Sequence, residues 1–154
     1  MKKSYFLGLI LFVIVIIITL WFSHLGFNGI LIYIDFVSFF IVLLCPLFLL
    51  LANFSLSEIR NSFIIGFEQG DSDSVELKNG LLFFTTLQNY FILSGLLGVF
   101  IGTIAILANL TVPEATGSGL ALSLITVLYS IIFSMGIAMP FKTGMQKRLN
   151  EISK

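Results

Sequence analysis

The feature that most limits what this chain can become is the length of its uncharged runs. No charged side chain falls from Ser4 to Ile34, from Phe36 to Ser57, from Asn79 to Pro113 or from Ala115 to Phe141, and these intervals are filled mainly with Leu, Ile, Val and Phe. A helix needs about 20 apolar residues to cross hydrocarbon, because every backbone N–H and C=O must be satisfied inside the segment. The 154 residues therefore hold about four spans, and with 58% apolar and 10% charged residues little is left for a water-filled domain. The expectation is an all-α polytopic membrane protein with four transmembrane helices.

The first span runs from about 5 to 22 behind Lys2 and Lys3. It is longer than a usual signal-peptide core, and WFSHLGFNG after it lacks a pair of small residues at cleavage spacing, so it is expected to stay attached with Trp21 near the outer interface. Ser23, His24, Gly26, Asn28 and Gly29 break the pattern before a second span at about 37 to 53, in which Pro46 bends the axis. Charge then concentrates: Glu58, Arg60, Glu68, Asp71, Asp73, Glu76 and Lys78 mark a cytoplasmic segment at about 54 to 80. Within it, SLSEIRNSFIIGF has a serine cap at Ser55 or Ser57 and aligns Leu56, Ile59, Phe63, Ile64 and Phe67, the pattern of an interfacial amphipathic helix. QGDSDSVELKNG reads as a turn-rich connector. The third span is expected at about 85 to 110, the turn TVPEATGSG follows, and the fourth span covers about 119 to 140 and ends at Pro140 before a basic tail, 141 to 154.

This arrangement puts all eight basic residues on one side: Lys2, Lys3, Arg60, Lys78, Lys142, Lys147, Arg148 and Lys154. By the positive-inside rule both termini are expected in the cytoplasm, with only His24, Asp35 and Glu114 as titratable groups opposite. The balanced net charge gives no electrostatic footprint for nucleic acid. Cys45 alone cannot form an internal disulfide or a cysteine cage, His24 has no second ligand at metal spacing, and DSDSVE lacks the glycine and distal glutamate of a calcium loop. No catalytic triad or nucleotide motif is present, so neither a resident metal, a cofactor nor an enzymatic activity is expected.

The last two spans carry no Asp, Glu, Lys, Arg or His below their interfacial ends, so the chain alone makes a poor proton carrier. They carry small and hydroxylated residues instead. Ser94, Gly98 and Gly102 recur at spacing four on the third span, with Thr103 adjacent, while Gly119, Ser123, Thr126, Ser130 and Ser134 share one face of the fourth. Such a stripe has two readings: close helix packing with each hydroxyl bonded to a carbonyl one turn earlier, or the lining of a cavity or partner helix.

The motifs in these spans resemble the MotA/TolQ/ExbB family of ion-channel subunits. GVFIGTIAIL at 98 to 107 is similar to the family's Gly-Thr segment, and TGSGLALSLITVLYSIIFSMGIAMPF at 116 to 141 to its IGPGxAxALxTTLYGxxxAxxxxxP segment. YIDFVSFFIV at 33 to 42 resembles the IDxxSxxIV opening of the second span, and the four-span order resembles flagellar stator A subunits. The resemblance implies a homo-oligomeric ring, a pentamer, in a bacterial inner membrane. The ring would surround the single-span helices of two B-type, MotB/ExbD-like partners, each bringing one membrane aspartate, and ion flow would drive rotation. It also implies that Thr103 and Thr126 belong to the ion pathway, that Ser94, Gly98, Gly102, Gly119, Ser123, Ser130 and Ser134 form a partner-helix or packing face, and that Asp35, Tyr129 and Pro140 are structural. Val127 stands in place of the second threonine of the Thr-Thr pair and removes an oxygen ligand, which favours protons over sodium. Ser118, Ser130 and Leu96 replace a proline, a glycine and a third-span proline, and the large cytoplasmic domain of flagellar members is reduced to a short segment. The alternatives are a non-conducting tetraspan scaffold and, less favoured, a holin-like pore.

Overall fold

The computed structural model describes residues 3–22, 33–67, 73–108 and 113–153, with only the backbone for 3, 4, 6 and 113–115. Among the described residues every regular element is helical. The helices are α1 (Lys3–Phe22), α2 (Phe36–Asn53), α3 (Leu56–Phe67), α4 (Ser74–Ala108), α5 (Pro113–Phe133), a π turn (Ser134–Ala138) and α6 (Met139–Ile152). Phe36–Asn53, Ser74–Ala108 and the continuous Thr116–Ile152 are long and apolar enough to cross a membrane, and Leu7–Phe22 is a shorter helix of similar character. Side chains such as Leu7, Val15, Phe36, Phe48, Phe100 and Ile104 stand half or more exposed around the outside, a surface suited to lipid and not to water. The protein is membrane-embedded.

Local chemistry sets the helix starts. Asp35 is the N-cap of α2, its carboxylate accepting the Ser38 N–H at 2.6 Å. Pro46 lies on the inward face of α2 with Ser38, Val42 and Leu50 at spacing four, so the proline is enclosed by neighbours. Ser55 and Glu58 form a capping box at α3: the Glu58 carboxylate accepts the Ser55 N–H at 2.7 Å and the Glu58 N–H reaches the Ser55 hydroxyl at 3.3 Å.

Three boundaries differ from the sequence expectations. The connector is shorter than its composition implies, because α4 already begins at Ser74, with the Asp73 carbonyl accepting the Leu77 N–H at 3.1 Å. PEATGSG is helical rather than a turn, with Pro113 in the first turn of α5, where a missing N–H is harmless. Pro140 does not end the helix: the π turn widens it before the proline, and α6 continues to Ile152. The apolar stripe on α3 also divides. Ile59, Phe63 and Ile65 pack inward around buried Ser62, while Leu56, Ile64 and Phe67 are exposed, because an interfacial helix needs apolar side chains toward lipid as well as toward protein.

The core sits where α3, α4 and α6 meet. Leu77, Phe83, Phe84, Phe141 and Met145 are almost wholly buried there. Phe84 stacks on Phe141 at 4.7 Å, Phe63 meets Phe84 edge-on at 5.2 Å, and Phe54 meets Phe83 at 5.3 Å. Aromatic pairs of this kind contribute about 0.5–1.5 kcal/mol each beyond their burial. Polar clasps frame the cluster: Arg148 donates to the Ile65 carbonyl at 2.9 Å, Lys142 to Gln88 at 2.9 Å, and Asn53 to the Tyr90 hydroxyl at 3.2 Å. The charged end of the molecule is thus a fixed platform of short helices on the foot of α4.

Candidate functional site

The α4 and α5 helices form the most extensive helix pair, and their seam is built from residues too small to keep the backbones apart. They run antiparallel: Gly95 lies against Ser130, Gly98 against Thr126 and Gly102 against Ser123. A methyl group on any of the three glycines would coincide with the facing side chain. Gly119 closes the row, where an added Cβ would stand 2.6 Å from Ile106 and 3.1 Å from the Gly102 carbonyl. Glycine in a helix costs about 1 kcal/mol relative to alanine, and here the cost is offset by close approach.

Four hydroxyls along this seam have their protons engaged inside the chain. Ser123 donates to the Gly119 carbonyl at 2.9 Å, Thr126 to Leu122 at 2.6 Å, Ser130 to Val127 at 2.8 Å and Ser94 to Phe91 at 2.8 Å. Thr126 and Ser38 are both fully buried, and their hydroxyl oxygens lie 2.9 Å apart, so α2 joins the seam as well. Ser134 is buried at the start of the π turn. Ser38 was not singled out by periodicity, since α2 offers no stripe of hydroxyls. The signal that could have found it is its position three residues after Asp35 in YIDFVS, which is both the capping spacing and one helical turn into the span.

Tyr129 anchors the other end of this contact. Its hydroxyl donates to the Tyr33 carbonyl and accepts the Asp35 N–H at 3.1 Å, and its ring meets Phe39 edge-on at 6.3 Å. Asp35 and Tyr129 therefore set where α2 starts against α5. Pro140 sits at the start of α6, beyond the π turn.

Thr103 is not part of the seam. It lies one residue beyond Gly102, about 100° farther around the helix, and is exposed on the outer face of α4, whereas Thr126 is fully buried. The single chain does not bring these two threonines together. Between Leu81 and Ala108 and between Thr116 and Phe133 there is no acidic or basic side chain. Among the described residues no group of three or more His, Cys, Asp or Glu is placed to hold a metal ion. His24, Glu68 and Asp71 lie outside the described residues, and of Glu114 only the backbone is described. A separate cavity of about 360 Å³ opens between α3 and the foot of α4, lined in part by Glu58, Asn61, Glu76 and Asn79. It belongs to the platform. There the Ser55 backbone N–H, followed by its hydroxyl, holds the Glu58 carboxyl below the usual range.

A seam of glycines and internally bonded hydroxyls, free of charge and leading into a proline-associated bulge, is consistent with the family comparison. Residues 67–154 match the model described as the MotA/TolQ/ExbB proton channel family. The chain belongs to this family. The matched region takes in α4, α5, the π turn and α6, so the family signature is this seam and its continuation into the platform. The chain is also similar to Motility protein A of Aquifex aeolicus (strain VF5), with 39% identity over 61 residues, covering 40% of this chain and 24% of that protein. The MotA/TolQ/ExbB segment is thus carried in a chain whose match spans about a quarter of the relative's length.

Proposed function

We propose that this chain is the A-type subunit of a proton-driven rotary or stator complex, forming a five-membered ring around single-span B-type helices in a bacterial inner membrane. One observation carries the reading most directly. The family's membrane segment here contains no acid or base of its own, so the carboxylate that moves protons has to come from another chain. We assign Thr103, on the outer face of α4, as the hydroxyl that meets this carboxylate, and Thr126 as a second oxygen of the path. Val127, which stands where a second hydroxyl would supply an oxygen ligand, supports protons over sodium. Both termini, α3 and the platform lie in the cytoplasm, following the basic residues. With so short a cytoplasmic segment, force leaves through the B-type partner on the far side of the membrane. The chemistry of the family is transport, and no covalent step is assigned.

The test is to tag the chain in its native cell, extract it mildly, and weigh the intact complex while identifying what copurifies. A ring in excess over a single-span protein with a membrane aspartate supports the reading; a homo-oligomer with no such partner overturns it. In the reconstituted complex Thr103→Val and Thr126→Val are expected to lower proton flux while the ring still assembles, and wild-type flux in both removes them from the path.

A second reading is favoured by the internal bonding of Ser123, Thr126 and Ser130: a non-conducting scaffold that keeps the seam for packing alone. It predicts no proton flux from the intact complex under any partner.

A further inference from the structure

Pro140 follows Gly136 by one helical turn, and a proline nitrogen has no hydrogen to return to the Gly136 carbonyl. The backbone is widened just there, with the Met139 N–H closing the π turn on the Ser134 carbonyl. The Gly136 carbonyl receives its hydrogen bond from elsewhere: the Tyr5 hydroxyl, 131 residues earlier in the chain, donates to it at 2.9 Å. Two further contacts fix the same crossing. The Tyr5 ring lies 5.6 Å from that of Phe141, and the edge of Phe12 lies 3.9 Å from where a Gly136 Cβ would stand. Among the other described side chains of α1, a narrow stripe of Leu9, Phe12, Ile16 and Leu20 is partly buried and the rest are exposed. The helix that otherwise faces outward thus delivers one donor to a carbonyl whose α-helical partner would be the missing N–H of Pro140.

We propose that Tyr5 is a positioning residue that locks the π turn and thereby sets the direction in which α6, and the platform with it, leaves α5. With Tyr5 seated, the Ser134 and Gly136 carbonyls of the widened turn are both engaged. With Tyr5 withdrawn, the Gly136 carbonyl is left without that donor, and the turn loses the tie that fixes its register against neighbouring ones. Each residue of register exchanged in this way turns the following helix by about 100°. α1 is then a removable clip on the joint between membrane and platform, a role that stands whether or not the complex conducts.

The test uses the full chain in lipid nanodiscs. Amide hydrogen exchange is followed at Ala138, Met139 and Phe141, and the distance between spin labels is measured at Val15, which is 60% exposed, and Gly144, which has open space around it. Tyr5→Phe keeps the ring and deletes the donor; exchange is expected to rise about tenfold and the label distance to broaden. Adding Pro140→Ala supplies a backbone N–H for Gly136, and the double variant is expected to return to within about threefold of wild-type exchange. General loosening of α1 would not respond to that second change. Unaltered exchange in Tyr5→Phe, or no recovery in the double variant, overturns the proposal. Should Tyr5→Phe fail to accumulate, Pro140→Ala alone decides, because the new N–H competes with Tyr5 and broadens the label distance; an unchanged distance overturns it.

Discussion

Replacing Gly98 with alanine tests the seam at its middle. The new Cβ would stand 2.5 Å from the Thr126 Cβ and 2.8 Å from its hydroxyl oxygen, well inside the ~3.5–4.0 Å of a normal contact. Both helices are held by their neighbours, so the strain is relieved by parting α4 from α5 by about 1 Å. This also lifts Ser130 from Gly95 and Ser123 from Gly102. Overpacking costs about 1–3 kcal/mol, and the shared displacement puts this site near the top of that range. The helix gains about 1 kcal/mol from losing a glycine, which leaves a net loss of about 2 kcal/mol. For a chain of this size that lowers the melting temperature by about 4–8 °C. The assay is thermal unfolding of the detergent-extracted protein beside Gly144→Ala, where nothing lies within 4 Å of the added methyl and the change is expected to be neutral or stabilising. Equal melting temperatures for the two variants would refute the close-packed seam.

Other expected outcomes rest on single contacts. Ser38→Ala and Thr126→Val each leave a buried hydroxyl without its partner across α2 and α5 and should each cost about 1–2 kcal/mol in unfolding, while the double variant should cost about 1 kcal/mol less than their sum. Arg148→Met removes a charged donor from the Ile65 carbonyl in the last turn of α3 and should cost about 1–2 kcal/mol, seen as faster amide exchange across Leu56–Phe67. Because Glu58 is held below its ordinary value of 4.5, its capping contribution is full above that pH and is lost as pH falls through the lowered value. Proteolysis of α3 should therefore accelerate on acidification below about pH 4.5 in the wild type and be insensitive to pH in Glu58→Gln.

The apolar helices were legible because hydrocarbon admits so few alternatives: α1 and α2 start and stop within two residues of their apolar runs. The foot of α4 was not, since Asp73, Ser74 and Glu76 suit a loop and a helix N-terminus equally, and what selects the helix is the burial of Leu77 and Phe84 beneath α6. Pro140 was misleading for a related reason. A proline usually ends a helix, but a π turn with a donor from α1 accommodates it, and neither is encoded within the turn's own residues. In the candidate site, spacing grouped Ser123, Thr126 and Ser130 on one face of α5. It could not pair them with Gly102, Gly98 and Gly95, because register between helices lies outside any one helix's periodicity. Thr103 shows the converse: sequence adjacency to Gly102 placed it beside the seam, and a single residue step turned it to the outside.

The 35 residues of α4 contain no proline and no break, so the helix behaves as one stiff rod about 52 Å long. Its contact with α5 lies near Gly98, and its far end at Ser74 is about 36 Å away. A lever of that length magnifies small rotations: tilting by about 5° about the glycine contact carries Ser74 sideways by about 3 Å. Motions too slight to disturb the packing within the bilayer thus arrive at the platform as displacements the size of a side chain, and they can be seen there with labels that never enter the membrane.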